Sequence, residues 1–319
     1  MCNFDCCALK TALDHRRVRL LAEKLLKEEL ANPPKILLTP PTLLYSYEQI
    51  LAMAQFVVAR SQVKPKFGII CGRLSSLAQM VDNPVIIDYA EIPGFPICTA
   101  PGNESKLYMG HISGAPVILM SGRFHPYEGI ELFQCAVPVR MMKLCGIEYL
   151  ITSCAAAAVD KSYNVGDVLL VKDHINIYGL MGHSALIGPN DARFGPKHKP
   201  MVNCYDRKLL ARAIAVGESL GFQEDMHIGI YACMGGPAEG TAAEEQLLRR
   251  IGANAVGVGM VHENILARHC DIKVLSFCLI SQPSLDRDIS TILQHTEYGK
   301  YVCTQLIGHI IYSIQFEGL

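Results

Sequence analysis

Eight short apolar runs constrain the fold of this chain most strongly. They are FGIIC (67–71), VIIDY (85–89), KLYMGHI (106–112), PVILMSG (116–122), EYLITSC (148–154), DVLLVKD (167–173), IGIYACM (228–234) and KVLSFCLI (273–280). Most are rich in β-branched residues, which suit a pleated, buried strand. Helical patterns at 130–145, 206–220, 241–251 and 290–316 separate or follow them. Gly221 and Gly252 stand where the second and third patterns end, the place for a left-handed C-cap. Ser46 with Gln49 makes a capping box for a helix reaching about Arg60. Strands mixed with amphipathic helices predict an α/β fold: a mixed β-sheet flanked by helices, as a single domain over 46–319.

Residues 1–45 read as an N-terminal helical extension. Leu13, Leu20, Leu21, Leu25 and Leu30 recur among charges over 9–31, and Pro33 and Pro34 stop the pattern. Arg16, Arg17 and Arg19 make its solvated face. Cys2, Cys6 and Cys7 form an incidental cluster at the terminus. Half of the 319 residues are hydrophobic and 18% are charged, which predicts a sizeable core. The net charge of −1 points to neither nucleic acid nor an anionic membrane as partner. No apolar run approaches a membrane span, and MCNFDCCALK has no secretory stretch. The 13 cysteines, with no paired CxxC pattern, fit a reduced, cytoplasmic protein with buried thiols.

Ligands in such folds gather where strands end. GIICGRLSSL (68–77) runs a strand into Gly72 and a Ser-containing turn whose amides and hydroxyls suit an anion. In GRFHPYEG (122–129), Arg123, His125 and Tyr127 alternate, so an extended segment puts them on one face. Arg123 offers a donor fork to an oxyanion, and a structural alternative pairs it with Glu128 on an edge strand. SCAAAAVD (153–160) offers close approach to a ligand, or equally a helix start. In MGGPAEGTAAEE (234–245), Thr241 and Glu244 form a capping box, which leaves Glu239 unexplained beside Gly240. His262 and His269 in HENILARH lie two helical turns apart, about 10.5 Å, too far to share a metal about 2 Å from each ligand. No metal site is expected.

From about residue 45 to its end the chain resembles the trimeric purine nucleoside phosphorylases. The resemblance rests on DYAEIPGFP (88–96), APG (100–102), GRFHPYEG (122–129), PVRMMKLCGIEYLIT (138–152), VGDVLLVKDHIN (165–176), GPNDARFG (188–195), GGPAEGTAAE (235–244), GANAVGV (252–258) and ARHC (267–270). It implies phosphate-dependent cleavage of purine nucleosides to free base and ribose 1-phosphate. No cofactor is implied; inorganic phosphate is the co-substrate. It also implies a homotrimer, with mixing with an active relative as a further option.

Carried over position by position, the resemblance splits. Gly72, Ser75, Arg123, His125 and Ala155 fall at phosphate-binding positions, His125 with a catalytic role. Tyr127, Val258 and His295 fall at sugar-binding positions, and Gln282 at the base-binding amide. The phosphate loop reads Gly72-Arg73-Leu74-Ser75-Ser76, one residue short of Gly-Ser-Gly-Leu-Gly. Asn103 stands for a histidine, Gly259 for the second phosphate serine, and Leu180 for the aromatic lent by a neighbouring subunit. Cys154 to Ala158 replace Asn-Ala-Ala-Gly-Gly, where alanine would be strained at a positive φ. The purine-gripping carboxylate falls on Gly240, and Glu239 stands one position early, where the family has an aromatic. Two readings follow: a phosphorylase with weakened or altered activity, in which Glu239 and Gln282 serve the base, or a catalytically silent paralogue that binds a nucleoside or anion or joins an oligomer. Methylthioadenosine phosphorolysis ranks below both.

Overall fold

The computed structural model describes Lys24 and residues 45–72, 75–100, 104–283 and 289–319. The side chains of Ser75 and of residues 289–293 are outside that description. The expected helix over 9–31, the terminal cysteines and Asn103 lie outside the described residues. Apart from Lys24, what is described belongs to one compact unit, Leu44–Leu319.

Helix α1 (Tyr47–Ser61) starts at the capping box expected of Ser46 and Gln49, with Gln49 N donating to Ser46 Oγ at 3.2 Å and Ser46 N to Gln49 Oε1 at 2.8 Å. The strands are β1 (Phe67–Cys71), β2 (Asp82–Asp88), β3 (Lys106–Ile112), β4 (Ala115–Ser121), β5 (Tyr149–Ala158), β6 (Val168–Asn176), β7 (Met226–Cys233), β8 (Ala255–Gly257) and β9 (Lys273–Gln282). The helices after α1 are α2 (Leu132–Cys135), α3 (Val137–Cys145), α4 (Ile177–Leu180), α5 (Arg207–Ser219), α6 (Ala242–Arg250), α7 (Val261–His269) and α8 (Ile289–Phe316).

The strands form one mixed sheet in the order β2-β3-β4-β1-β5-β8-β7-β6-β9, and β5 also pairs with β9. That second pairing closes β5, β8, β7, β6 and β9 into a ring, with β1, β4, β3 and β2 as a wing from β5. Side chains of β1, β4 and β5 alternate between the two larger of three cores, as a two-residue period requires. Ile70, Ile118 and Leu150 enter the core under α1, α3 and α7, whereas Ile69, Leu119 and Ile151 enter the one under α5 and α8. Helices therefore cover both faces, as the apolar runs predict. Gly221 and Gly252 take φ of +79° and +92°, where the second and third helical patterns end.

Two expectations need correction. Residues 154–158 are not a helix start: β5 runs through to Ala158. No residue of that stretch takes positive φ, so the alanines sit there without backbone strain. Second, β8 escaped notice because three residues are too few to show a period. It pairs antiparallel with the end of β5 (Ala157 with Val256) and parallel with β7, which carries the chain back toward the ends of β1 and β5.

Candidate functional site

Strands β4, β1, β5 and β9 run parallel to one another, so their C-terminal ends point to one edge. Gly72 follows β1, Arg123 follows β4, Ala155 lies on β5 and Gln282 ends β9. β8 returns to the same edge: a Cβ on Gly257 would stand 3.1 Å from the Ala155 carbonyl oxygen. The topology thus gathers most of the expected site residues at one rim.

Arg123 lies inside that rim, 1% exposed. Its Nε donates to both carboxylate oxygens of Glu263 at 2.8 and 3.0 Å. Nη1 donates to the Ser153 carbonyl at 2.8 Å and Nη2 to the Ile70 carbonyl at 3.4 Å. Burial opposes its charge, and the Glu263 carboxylate outweighs burial and pushes the guanidinium pKa up. Gly259 makes this path possible, because a Cβ there would stand 2.8 Å from Arg123 Cδ. The next residue, Met260, holds a φ of 77°, a left-handed conformation costly for a side chain with a Cβ.

The expected common face of Arg123, His125 and Tyr127 is corrected by the structure. A 3₁₀ turn over Pro126–Glu128 breaks the extended segment. Arg123 turns inward, while the His125 and Tyr127 rings stack at 4.7 Å with 20° between planes. Nor does Arg123 pair with Glu128. That carboxylate accepts from His125 N at 2.9 Å, Thr99 N at 2.6 Å and Ala100 N at 2.9 Å, and sits 3.0 Å from His125 Nδ1. Burial raises the Glu128 pKa, but these hydrogen bonds prevail and hold it below the usual range. Burial, then the nearby Arg123 charge, lower the His125 pKa against the pull of Glu128. The imidazole is thereby kept neutral near pH 7, with Nδ1 turned to Glu128.

Tyr127 borders Gly236, which also packs against Val258. A Cβ on Gly236, itself at φ +57°, would stand 3.3 Å from Tyr127 Cδ1 and 2.9 Å from Val258 Cγ1. Three residues on, Glu239 is exposed, and its Oε1 accepts from Gln282 Nε2 at 3.2 Å. Glu244 is spent as expected: its Oε2 accepts from Thr241 N at 2.6 Å. Gly240 lies open, with only Glu244 near its absent Cβ, at 3.9 Å or more. Ala155 is exposed on β5, and His295 is exposed on α8 with its backbone against Gly166. Ser75 opens a short 3₁₀ helix, Ser75–Met80.

Sequence reading missed two carboxylates. Glu263 stands beside His262 in HENILARH with no local sign of a partner, and the burial of Arg123 against it is seen only in the fold. Glu104 carried no local signal. Its Oε2 accepts from Ser121 Oγ and Tyr108 OH, each at 2.9 Å, which puts a second negative charge beside the strand that leads to Arg123. Among the described residues no group of three or more His, Cys, Asp or Glu is placed to hold a metal ion. No described helix is long and apolar enough to cross a membrane.

Residues 66–298 match the Phosphorylase superfamily. The purine nucleoside phosphorylase of Anopheles gambiae is 42% identical over 238 residues, 74% of this chain and 67% of that protein. Purine nucleoside phosphorylase 1 of Bacillus subtilis is 36% identical over 270 residues, 83% of this chain and 98% of that protein. Among solved structures, Schistosoma mansoni purine nucleoside phosphorylase in complex with adenosine superposes with a TM-score of 0.79 at 34% identity, covering 84% of this chain and 98% of that one.

Proposed function

From the premise that the chain belongs to the purine nucleoside phosphorylase family within the phosphorylase superfamily, we propose that it cleaves purine nucleosides with inorganic phosphate, at a reduced rate. A phosphate oxygen attacks the anomeric carbon, the N-glycosidic bond breaks, and the products are ribose 1-phosphate and free base. The transition state carries oxocarbenium character on the sugar and negative charge on the departing purine. A site for it must hold phosphate on one side of the sugar and hydrogen-bond the base on the other.

The observation that carries this reading is the convergence of a buried guanidinium with strand ends. Arg123 lies against Gly72 and Gly259, just past β1 and β8, and against Ser153 midway along β5, with the neutral His125 two residues on. Gly72, Ser75, Arg123, His125 and Ala155 would serve the phosphate. Tyr127, Val258 and His295 would line the sugar, and Glu239, Gly240 and Gln282 the base. No cofactor is needed, because phosphate is both nucleophile and co-substrate.

The same rim argues for slow turnover. The guanidinium donates to Glu263, Ser153 and Ile70, Glu104 adds negative charge at Ser121, and Gly259 has no hydroxyl to offer. Losing one stabilising donor costs a barrier about 2.7–4 kcal/mol, so the hydroxyl missing at Gly259 removes much of the acceleration. We further infer a cytoplasmic homotrimer. Exposed Leu180 and Met181, 77% and 72% accessible on and after α4, favour a second copy against that loop. Light scattering that returns a monomeric mass would contradict the trimer.

The test is phosphate-dependent release of base from inosine, guanosine and adenosine at high protein concentration, with Arg123→Ala as background. Release abolished in the control establishes the activity. Release no higher than the control is the result expected of a silent paralogue that binds nucleoside or anion or joins an oligomer.

A further inference from the structure

We propose that Gln282, oriented by Glu239, selects a 6-aminopurine over a 6-oxopurine; the proposal rests on the nucleoside-binding part of the reading above. The polarity of the pair is fixed by chemistry. A carboxylate accepts hydrogen bonds and does not donate them, so the amide facing Glu239 Oε1 at 3.2 Å must present its nitrogen. One Nε2 hydrogen is thereby committed. Gln282 keeps one N–H donor and its Oε1 acceptor.

That remaining donor–acceptor set matches the N7 and 6-amino edge of adenine, the bidentate pairing an amide side chain makes with that base. Oε1 receives an N6 hydrogen, and Nε2–H meets N7. The second contact also strengthens as the glycosidic bond breaks and electrons flow into the purine, so it favours departure as well as recognition. A 6-oxopurine presents acceptors at both O6 and N7. Serving both needs two donors, and one is held by Glu239. Turning the amide over would set its oxygen against the carboxylate.

The rim supports this assignment. Gly240 has no side chain and Glu244 is tied to Thr241 N, so among the described residues Glu239 is the carboxylate that reaches Gln282. Glu239 stands three residues beyond Gly236, which packs against Tyr127 and Val258, so the pair continues the same rim past the sugar-side residues. Glu239 acts through Gln282 and is a positioning residue; Gln282 is the one that touches the base. Both are exposed, so neither substitution threatens the fold.

The experiment is calorimetric titration of the full chain, without phosphate, with adenosine, inosine and 7-deazaadenosine. Adenosine is expected to bind about tenfold or more tighter than inosine, the discrimination of one good bidentate contact. 7-Deazaadenosine, which lacks the N7 acceptor, is expected to lose about tenfold against adenosine. Glu239→Gln releases the amide and brings the adenosine-to-inosine ratio to within about threefold, a change that mere loss of packing would not produce. Inosine binding as tightly as adenosine, a ratio unmoved by Glu239→Gln, or no nucleoside binding overturns the proposal. Parallel assays with phosphate separate this from the parent reading. Equal affinities with phosphate-dependent cleavage sink the specificity and keep the phosphorylase. Selective adenosine binding without cleavage keeps the specificity and sinks the phosphorylase.

Discussion

Arg123 and Glu263 meet as an ion pair with neither side chain more than 2% exposed, joining the chain after β4 to helix α7 across 140 residues of sequence. Such a pair gains little over well-packed apolar groups, but removing one member strands the other charge without water. The pair is therefore a point where stability and a positive charge for the site are held by the same contact.

Glu263→Ala is accordingly expected to lower unfolding free energy by about 3–5 kcal/mol, and Arg123→Ala by a similar amount. The double variant Arg123→Met with Glu263→Leu should recover most of that loss. Urea denaturation of the four proteins measures it. Additive losses in the double variant would show that the two charges do not depend on each other.

Gly259→Ser should trade stability for anion affinity. The new Cβ would meet Arg123 Cδ at 2.8 Å, so the arginine side chain must move from its path to Glu263. Overpacking of this kind costs about 1–3 kcal/mol. The displaced guanidinium and the added hydroxyl both become donors for phosphate, and phosphate affinity is expected to rise about tenfold. Titration with inorganic phosphate reads the gain and thermal melting the cost. A lower melting point with unchanged phosphate affinity would show that Arg123 does not face the anion.

The fold was legible because strands buried in a sheet leave short apolar runs, and eight of the nine strands carry one. The capping boxes at Ser46 and Thr241 were equally plain, since their partners lie three residues away. The site was less so. Arg123 and Glu263 are 140 residues apart, and no local pattern links them. The 3₁₀ turn at Pro126 was hidden by an alternation that reads as extended. Glu239 and Gln282, by contrast, were picked out singly, and their pairing depends on where β9 ends.

His262 predicts an acid-side loss of stability. It is 4% exposed on α7, and burial pushes its pKa down to about 4, with Arg123 and His125 adding to burial against Glu263. In the unfolded chain the ring takes its proton near 6.5. As pH falls from about 6.5 to about 4, the unfolded state binds a proton that the folded state refuses, so stability falls across that window. The full gap is worth on the order of 3 kcal/mol. His262→Leu removes this contribution, and its unfolding free energy should fall less steeply over the same range. Equal slopes from denaturation at pH 7, 6 and 5 would assign the loss to other groups.

The double change Glu239→Phe with Gly240→Glu tests whether the base rim can be returned to the family pattern. Gly240 has φ outside the left-handed region and open space around its absent Cβ, so a side chain fits there. The glutamate would move one position along the turn, and an aromatic would stand where the family has one. Gln282 would lose its carboxylate partner and regain both amide hydrogens for O6 and N7. Inosine turnover is expected to rise, by about tenfold relative to adenosine, as one bidentate contact changes sides. Phosphate-dependent hypoxanthine release from inosine measures it. A folded double variant with no gain would locate the defect on the phosphate side, at Arg123, Glu263 and Gly259, and would make Gly259→Ser in the same background the change that restores turnover.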